Sequence, residues 1–148
     1  APKGSAKAEP GGDRVVDATY VQRRLGQAGW ALVDARAANF YQGDPGGQPR
    51  GGHLPGARNL PFNSLLDGPR LKPPEELARL FAAAGLPPTG ELVAYCHIGQ
   101  QASLVWLAAR LLGYDARLYD GSFEDWAGRP ELPLVKPPEP KAEPPAKR

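Results

Sequence analysis

Cysteine and histidine are scarce in this sequence and methionine is absent: Cys96 is the only thiol, His53 and His97 are the only imidazoles, and none of the 148 residues is Met. A lone cysteine excludes an internal disulfide and any cysteine-clustered zinc site, and two histidines add few ligands for a soft metal, so neither a structural metal nor a bound cofactor is expected. Long apolar runs are missing as well. The longest candidate, Leu104 to Ala109, stops at Arg110, far short of the roughly 20 residues a membrane-spanning helix needs. No stretch at the start reads as a signal peptide, yet the chain opens Ala1-Pro2 without Met, a start set by processing or by design, and the expectation for its compartment leans from cytoplasm towards export to a bacterial periplasm.

A strong charge of either sign is also lacking. The net charge is +2, and the ends supply all of it: Lys3 and Lys7 against Glu9, then Lys136, Lys141, Lys147 and Arg148 against Glu139 and Glu143. What remains is near neutral, so neither a nucleic acid nor an anionic membrane is expected as a partner. The same ends, residues 1–12 and 136–148, hold seven of the 18 prolines and almost no large apolar side chains. They are expected to lack a fixed fold and to flank one domain over residues 13–135, because they cannot bury enough surface to order themselves.

Within that domain short strands alternate with helices. Asp17 caps a helix over Ala18 to Leu25 that Gly26 ends, and Trp30-Ala31-Leu32-Val33 reads as a short buried strand. Residues 35–59 carry no periodic pattern and read as a long irregular excursion. Pro73-Pro74-Glu75-Glu76 opens a second helix running to about Ala84, with Leu77, Leu80 and Phe81 as its buried face. Glu91 to Tyr95 is the clearest strand. The helix after it carries a stripe of Leu104, Val105, Leu107, Ala108, Leu111 and Leu112, and Gly113 closes it. Arg117 to Tyr119 gives one more strand, and Ser122-Phe123-Glu124-Asp125 reads as a capping box before a last turn with Trp126. This alternation predicts an α/β fold with a mainly parallel sheet flanked by helices, and places ligands at the carboxyl ends of the strands.

Cys96 falls at that place. It follows the best strand, and only His97-Ile98-Gly99-Gln100-Gln101 separate it from Ala102 in a long helix. A short loop bent into a helix N-terminus gathers backbone N–H groups into an anion-stabilising nest, which favours the nucleophilic, anionic form of a sulfur placed there. The competing reading is a small buried core residue. Strand, cysteine, five residues and helix serve two chemistries. Hydrolysis of phosphate monoesters needs an arginine six residues after the cysteine to clamp phosphoryl oxygens; here that residue is Ala102, which leaves sulfur transfer.

Four segments in order, Leu32-Val33-Asp34-Ala35-Arg36, Gly52-His53-Leu54-Pro55-Gly56-Ala57, Tyr95 to Ser103 and Leu118-Tyr119-Asp120-Gly121-Ser122, make most of residues 15–128 resemble the rhodanese-like sulfurtransferases. The sequence looks most like the catalytic domain of the thiosulfate and 3-mercaptopyruvate sulfurtransferases, which often come as tandem domains. The resemblance implies the three-layer rhodanese-like fold and a two-step exchange. Cys96 takes the outer sulfur of a small-molecule donor as a persulfide and hands it to cyanide or a thiol, while the loop from His97 through Ile98, Gly99, Gln100 and Gln101 to Ala102 cradles it. Thiosulfate-specific members carry basic side chains directly after the cysteine, where this chain has His97 and Ile98. Arg50 is the best cationic candidate for an anionic donor, His97 can face either the thiolate or solvent, His53 reads as fixing a turn, and Asp34 with Arg36 reads as a structural pair. The rival is a non-catalytic module of the same fold that carries sulfur or binds a protein.

Overall fold

A computed structural model describes residues 13–137; residues 1–12 and 138–148, where most of the tail expectation falls, lie outside the described residues. The elements in chain order are β1 (Val15–Val16), α1 (Ala18–Arg24), β2 (Trp30–Asp34), α2 (Ala38–Tyr41), β3 (Arg58–Asn59), a 3-10 turn (Phe62–Leu65), β4 (Leu66–Asp67), β5 (Arg70–Leu71), α3 (Pro74–Ala83), β6 (Glu91–Tyr95), α4 (Gln100–Leu111), β7 (Asp115–Tyr119) and α5 (Ser122–Ala127). Five strands form one sheet in the order β1-β7-β6-β2-β3 with every pairing parallel, and β4 and β5 form a separate antiparallel hairpin. Among the described residues, no helix is long and apolar enough to cross a membrane.

The strands are short and apolar because both faces of the sheet are covered. On β6 the alternation sends Leu92 and Ala94 into one core, with Val105, Ala108 and Ala109 of α4 and Leu77 and Phe81 of α3, while Val93 and Tyr95 enter the other, with Val21 of α1 and Phe123 and Trp126 of α5. The period of two continues one residue past the strand and puts Cys96 on the α3–α4 side. Asp17 caps α1 as expected, its Oδ1 accepting the Tyr20 N–H at 2.8 Å.

Several details depart from the sequence reading. Residues 35–59 are not wholly irregular: they contain the single turn α2 and the edge strand β3, both too short to leave a periodic signature. Leu107 and Leu111, assigned to the buried stripe of α4, are 42% and 61% exposed. Val105 and Ala108 of the expected stripe are buried, and Ala102 and Ala109 complete the buried face in place of the two leucines, letting α4 lie close on the sheet. Val15–Val16 and the β4–β5 hairpin had left no readable signal, being two-residue strands.

Candidate active site

The site is assembled at the carboxyl end of β6. Cys96 is fully buried, and its Sγ accepts the Gly99 N–H at 3.2 Å. Gly99 takes φ 91° at the N-cap of α4, a left-handed conformation in which a Cβ would stand 2.9 Å from the Asp120 carbonyl oxygen. Glycine is therefore required for the loop to fold back on its own sulfur. Three residues, His97 to Gly99, separate Cys96 from the first residue of α4, so the helix begins two residues earlier than the sequence suggests. The first N–H groups of this twelve-residue helix, on Gln100, Gln101 and Ala102, have no intrahelical acceptor, which gives the loop its positive electrostatic end. Ala102 is buried beneath the loop, Gln100 is exposed, and Gln101 is half-buried with Oε1 unpartnered among the described residues.

The start of α5 fixes the loop from the other side. The Cys96 N–H donates to Ser122 Oγ at 3.1 Å, and that hydroxyl donates to the Tyr119 carbonyl at 2.8 Å. The N–H groups of Phe123 and Glu124 donate to the carbonyls of Cys96 and His97 at 2.9 and 3.0 Å. Ser122 is therefore not the cap of its own helix, as the sequence had suggested. It is buried at φ 56°, a region that costs a non-glycine residue energy, and its hydroxyl accepts from the Cys96 backbone instead.

Beside the loop lies a buried ion pair at the end of β2. Arg36 donates from Nε to both Asp34 carboxylate oxygens, at 3.0 and 3.1 Å, and from Nη2 to Oδ2 at 2.6 Å and to the Gly52 carbonyl at 2.7 Å. Both side chains are fully buried, and the guanidinium lies 3.9 Å from the centre of the Phe123 ring. Tyr95 Oη donates to Asp34 Oδ2 at 2.8 Å and accepts the Leu54 N–H at 3.1 Å; burial, then the Asp34 charge, push its hydroxyl well above the usual tyrosine range. Asp34 and Arg36 thus form the structural pair that their spacing suggested, bracing the excursion that carries Gly52 and His53.

His97 is half-buried, with the Phe40 ring against it edge-on at 4.6 Å between centroids. Burial first, then the Arg36 charge, hold its imidazole below the ordinary histidine range against the opposing pull of Asp34. Ile98, next in the chain, is 53% exposed. His53 stacks on Tyr41 at 3.8 Å, its Nδ1 is 2.8 Å from the Tyr41 carbonyl, and its backbone pairs with Val135, so its role is to close the loop on itself.

Arg50 is not a free cation but is held by the protein's own backbone. Its guanidinium donates to the carbonyls of Ala127 at 3.2 Å, Leu132 at 2.8 Å, Trp126 at 3.1 Å and Arg129 at 2.6 Å. Those carbonyls stand at and beyond the C-terminal end of α5, where a cation satisfies orphaned acceptors and the negative end of the helix. Sequence reasoning missed this because the acceptors lie more than 70 residues away. It also passed over Phe40, whose only signal was a large aromatic in a stretch without periodicity.

The rhodanese-like domain family matches residues 17–129, and the chain belongs to that family. It is 39% identical over 138 residues to a probable 3-mercaptopyruvate sulfurtransferase of Pseudomonas aeruginosa, covering 89% of this chain and 48% of that protein. It is 33% identical over 117 residues to a thiosulfate sulfurtransferase of Azotobacter vinelandii, covering 78% of this chain and 43% of that one. A crystal structure of a probable thiosulfate sulfurtransferase superposes with a TM-score of 0.65 at 29% identity, covering 93% of this chain and 54% of the other. The chain spans about half the length of the curated relatives it matches.

Proposed function

We propose that this chain is a sulfurtransferase domain in which Cys96 receives a sulfane sulfur and passes it on. The observation that carries the reading is the Cys96 sulfur itself, accepting the Gly99 N–H at 3.2 Å inside a loop that ends on the N-terminus of α4. Such a setting stabilises sulfur as an anion, both before transfer and as the persulfide. Ala102 in place of a phosphate-clamping arginine and the names of the relatives support the same reading.

In the first half-reaction the Cys96 thiolate attacks the outer sulfur of the donor. A sulfur–sulfur bond forms to Sγ as the donor's own bond to that sulfur breaks, and the leaving group departs with the electron pair: sulfite from thiosulfate, or enolpyruvate from 3-mercaptopyruvate. In the second, cyanide or a thiolate attacks the terminal sulfur of the persulfide, and the thiolate of Cys96 is released unchanged. Gly99 N–H holds the charge on Sγ at both ends of the cycle, and Ser122 with the α5 amides keeps the loop from shifting as that charge moves outward.

Intact-mass spectra after incubation with thiosulfate or 3-mercaptopyruvate are expected to show one added sulfur atom, removed by cyanide with release of thiocyanate. Cys96→Ala is expected to abolish both the adduct and turnover. Sulfur uptake without turnover in the presence of cyanide and thiols would favour the carrier module, and no uptake from any sulfane donor would end the sulfur-transfer reading.

A further inference from the structure

The solvent side of α4 is poor in charge for a surface helix. Its twelve residues include one charged side chain, Arg110. Five large apolar side chains stand exposed among the described residues. Val15, Ile98 and Val135 lie in separate segments, whereas Leu107 and Leu111 are one turn apart on α4, with half-buried Leu104 one turn before them. Beside this stripe, between α3 and the end of α4, lies an apolar groove of about 170 Å3 lined by Ala78, Ala82, Leu86, Pro88, Leu112 and Tyr114. The Tyr114 hydroxyl donates to the Pro87 carbonyl, so no side chain in the groove offers a free polar group. A contiguous apolar stripe and groove of this kind mark a surface that another protein covers.

The groove and a side chain suited to fill it belong to the same face. Leu111 precedes Leu112, which lines the groove, so each copy of the chain carries a protruding leucine and a hole side by side. A twofold contact requires this arrangement, because both copies give and receive with one surface. The charges agree with it. Glu75 continues the row of Ala78 and Ala82 along α3 at spacings of three and four, and Arg110 precedes Leu111. Both are exposed, and neither is in an ion pair among the described residues. Residues 1–12 and 138–148 contain no Val, Leu, Ile, Phe, Tyr or Trp, so they have no large apolar side chain to lay in the groove. We infer that two copies of this chain associate through the α3–α4 face, Leu111 of each seated in the groove of the other and Arg110 of each paired with the other's Glu75. This association is independent of the reading of Cys96.

Sedimentation equilibrium over a concentration series tests the inference, with circular dichroism admitting only folded variants to the series. The wild type is expected to form a reversible dimer with a dissociation constant on the order of 100 μM or tighter, as suits a small interface. Leu111→Asp, at a position already exposed in the single chain, sets a charge in an apolar groove and is expected to raise that constant at least about tenfold. Ala82→Phe fills the groove from its own helix and is expected to do the same. Arg110→Glu and Glu75→Arg are each expected to raise the constant about threefold or more, and the two together to return it towards the wild-type value. The effect of either charge variant alone should shrink at high salt. A dimer unmoved by both Leu111→Asp and Ala82→Phe, or a charge swap that restores nothing, would overturn the inference. A wild type still monomeric at about 1 mM would overturn it as well and leave the face to a different protein.

Discussion

Two loops meet at the site, and they are built by opposite means. The Cys96 loop is local: a strand ends, three residues turn, a helix begins, and its defining bond joins Gly99 to Cys96 three residues away. The excursion between β2 and β3 is non-local. It is braced by Arg36 reaching Gly52, by Arg50 reaching the far end of α5, and by His53 pairing with Val135. The first is a device for holding charge on one atom. The second supplies Phe40 and Gly46, which lie against the His97 ring, and hangs them on charged side chains buried or half-buried in the fold. Its cations are therefore structural, which is why a stretch with two arginines leaves the neighbourhood of the cysteine poor in free positive charge.

The largest effect is expected where the excursion is anchored. Arg36→Ala leaves the Asp34 carboxylate buried without its cation and frees the Gly52 carbonyl, and should cost about 3–5 kcal/mol of stability, as removal of one partner from a buried ion pair does. Denaturant unfolding measures it, and Arg36→Lys should recover only part of the loss because a single ammonium cannot fork across both carboxylate oxygens and reach Gly52. Stability unchanged in Arg36→Ala would mean that the excursion does not depend on the pair.

A smaller cost in stability but a sharper loss of activity is expected in the Cys96 loop. Gly99→Ala places a Cβ against the Asp120 carbonyl at φ 91° and should destabilise by about 1–2 kcal/mol, the usual cost of the left-handed region for a residue with a side chain. Sulfur uptake by Cys96 should fall by about tenfold or more, since the displaced amide is the one donating to Sγ. Equal losses in stability and uptake would erase the contrast between a loop that holds charge and a loop that holds shape.

The smallest effect lies between the two loops, at His97. Its proton affinity is lowered by folding, so the folded state resists protonation more than the unfolded chain does. Its contribution is fully present above the unfolded histidine value of about 6.5 and is lost as pH falls through the lower folded value. The melting temperature of the wild type relative to His97→Gln should decline as the buffer is taken from neutral into that range. A difference that grows on acidification would reverse the sign and mean that Asp34 outweighs burial and Arg36 together.

The legibility of the two loops in the sequence differed for the same reason that their construction does. The apolar run Leu92 to Tyr95, the glycine at 99 and the long helix after it are short-range signals, and they were enough to put Cys96 at a strand end facing a helix N-terminus. Ser122 was visible as a residue suited to capping but not as the acceptor of the Cys96 N–H, because that bond spans 26 residues and two elements. Arg50 is visible in the sequence as a cation, but the carbonyls it donates to are not, because a charge in a glycine- and proline-rich stretch looks solvated until those carbonyls are in place. Leu107 and Leu111 were placed in the core by helical spacing, and the sheet's close approach to the alanines of α4 left them outside.

By itself, then, the sequence determined the alternating α/β plan and the place of Cys96 between a strand end and a helix N-terminus, since each depends on residue types only a few positions apart. Tertiary structure alone decided which cations remain free, which helix clamps the cysteine, and what surface stands beside it. Those outcomes depend on bonds between segments up to 82 residues apart, such as Arg50 to the Leu132 carbonyl. No local pattern encodes them, because a guanidinium reads the same in sequence whether its partner is a ligand, water or the protein's own backbone.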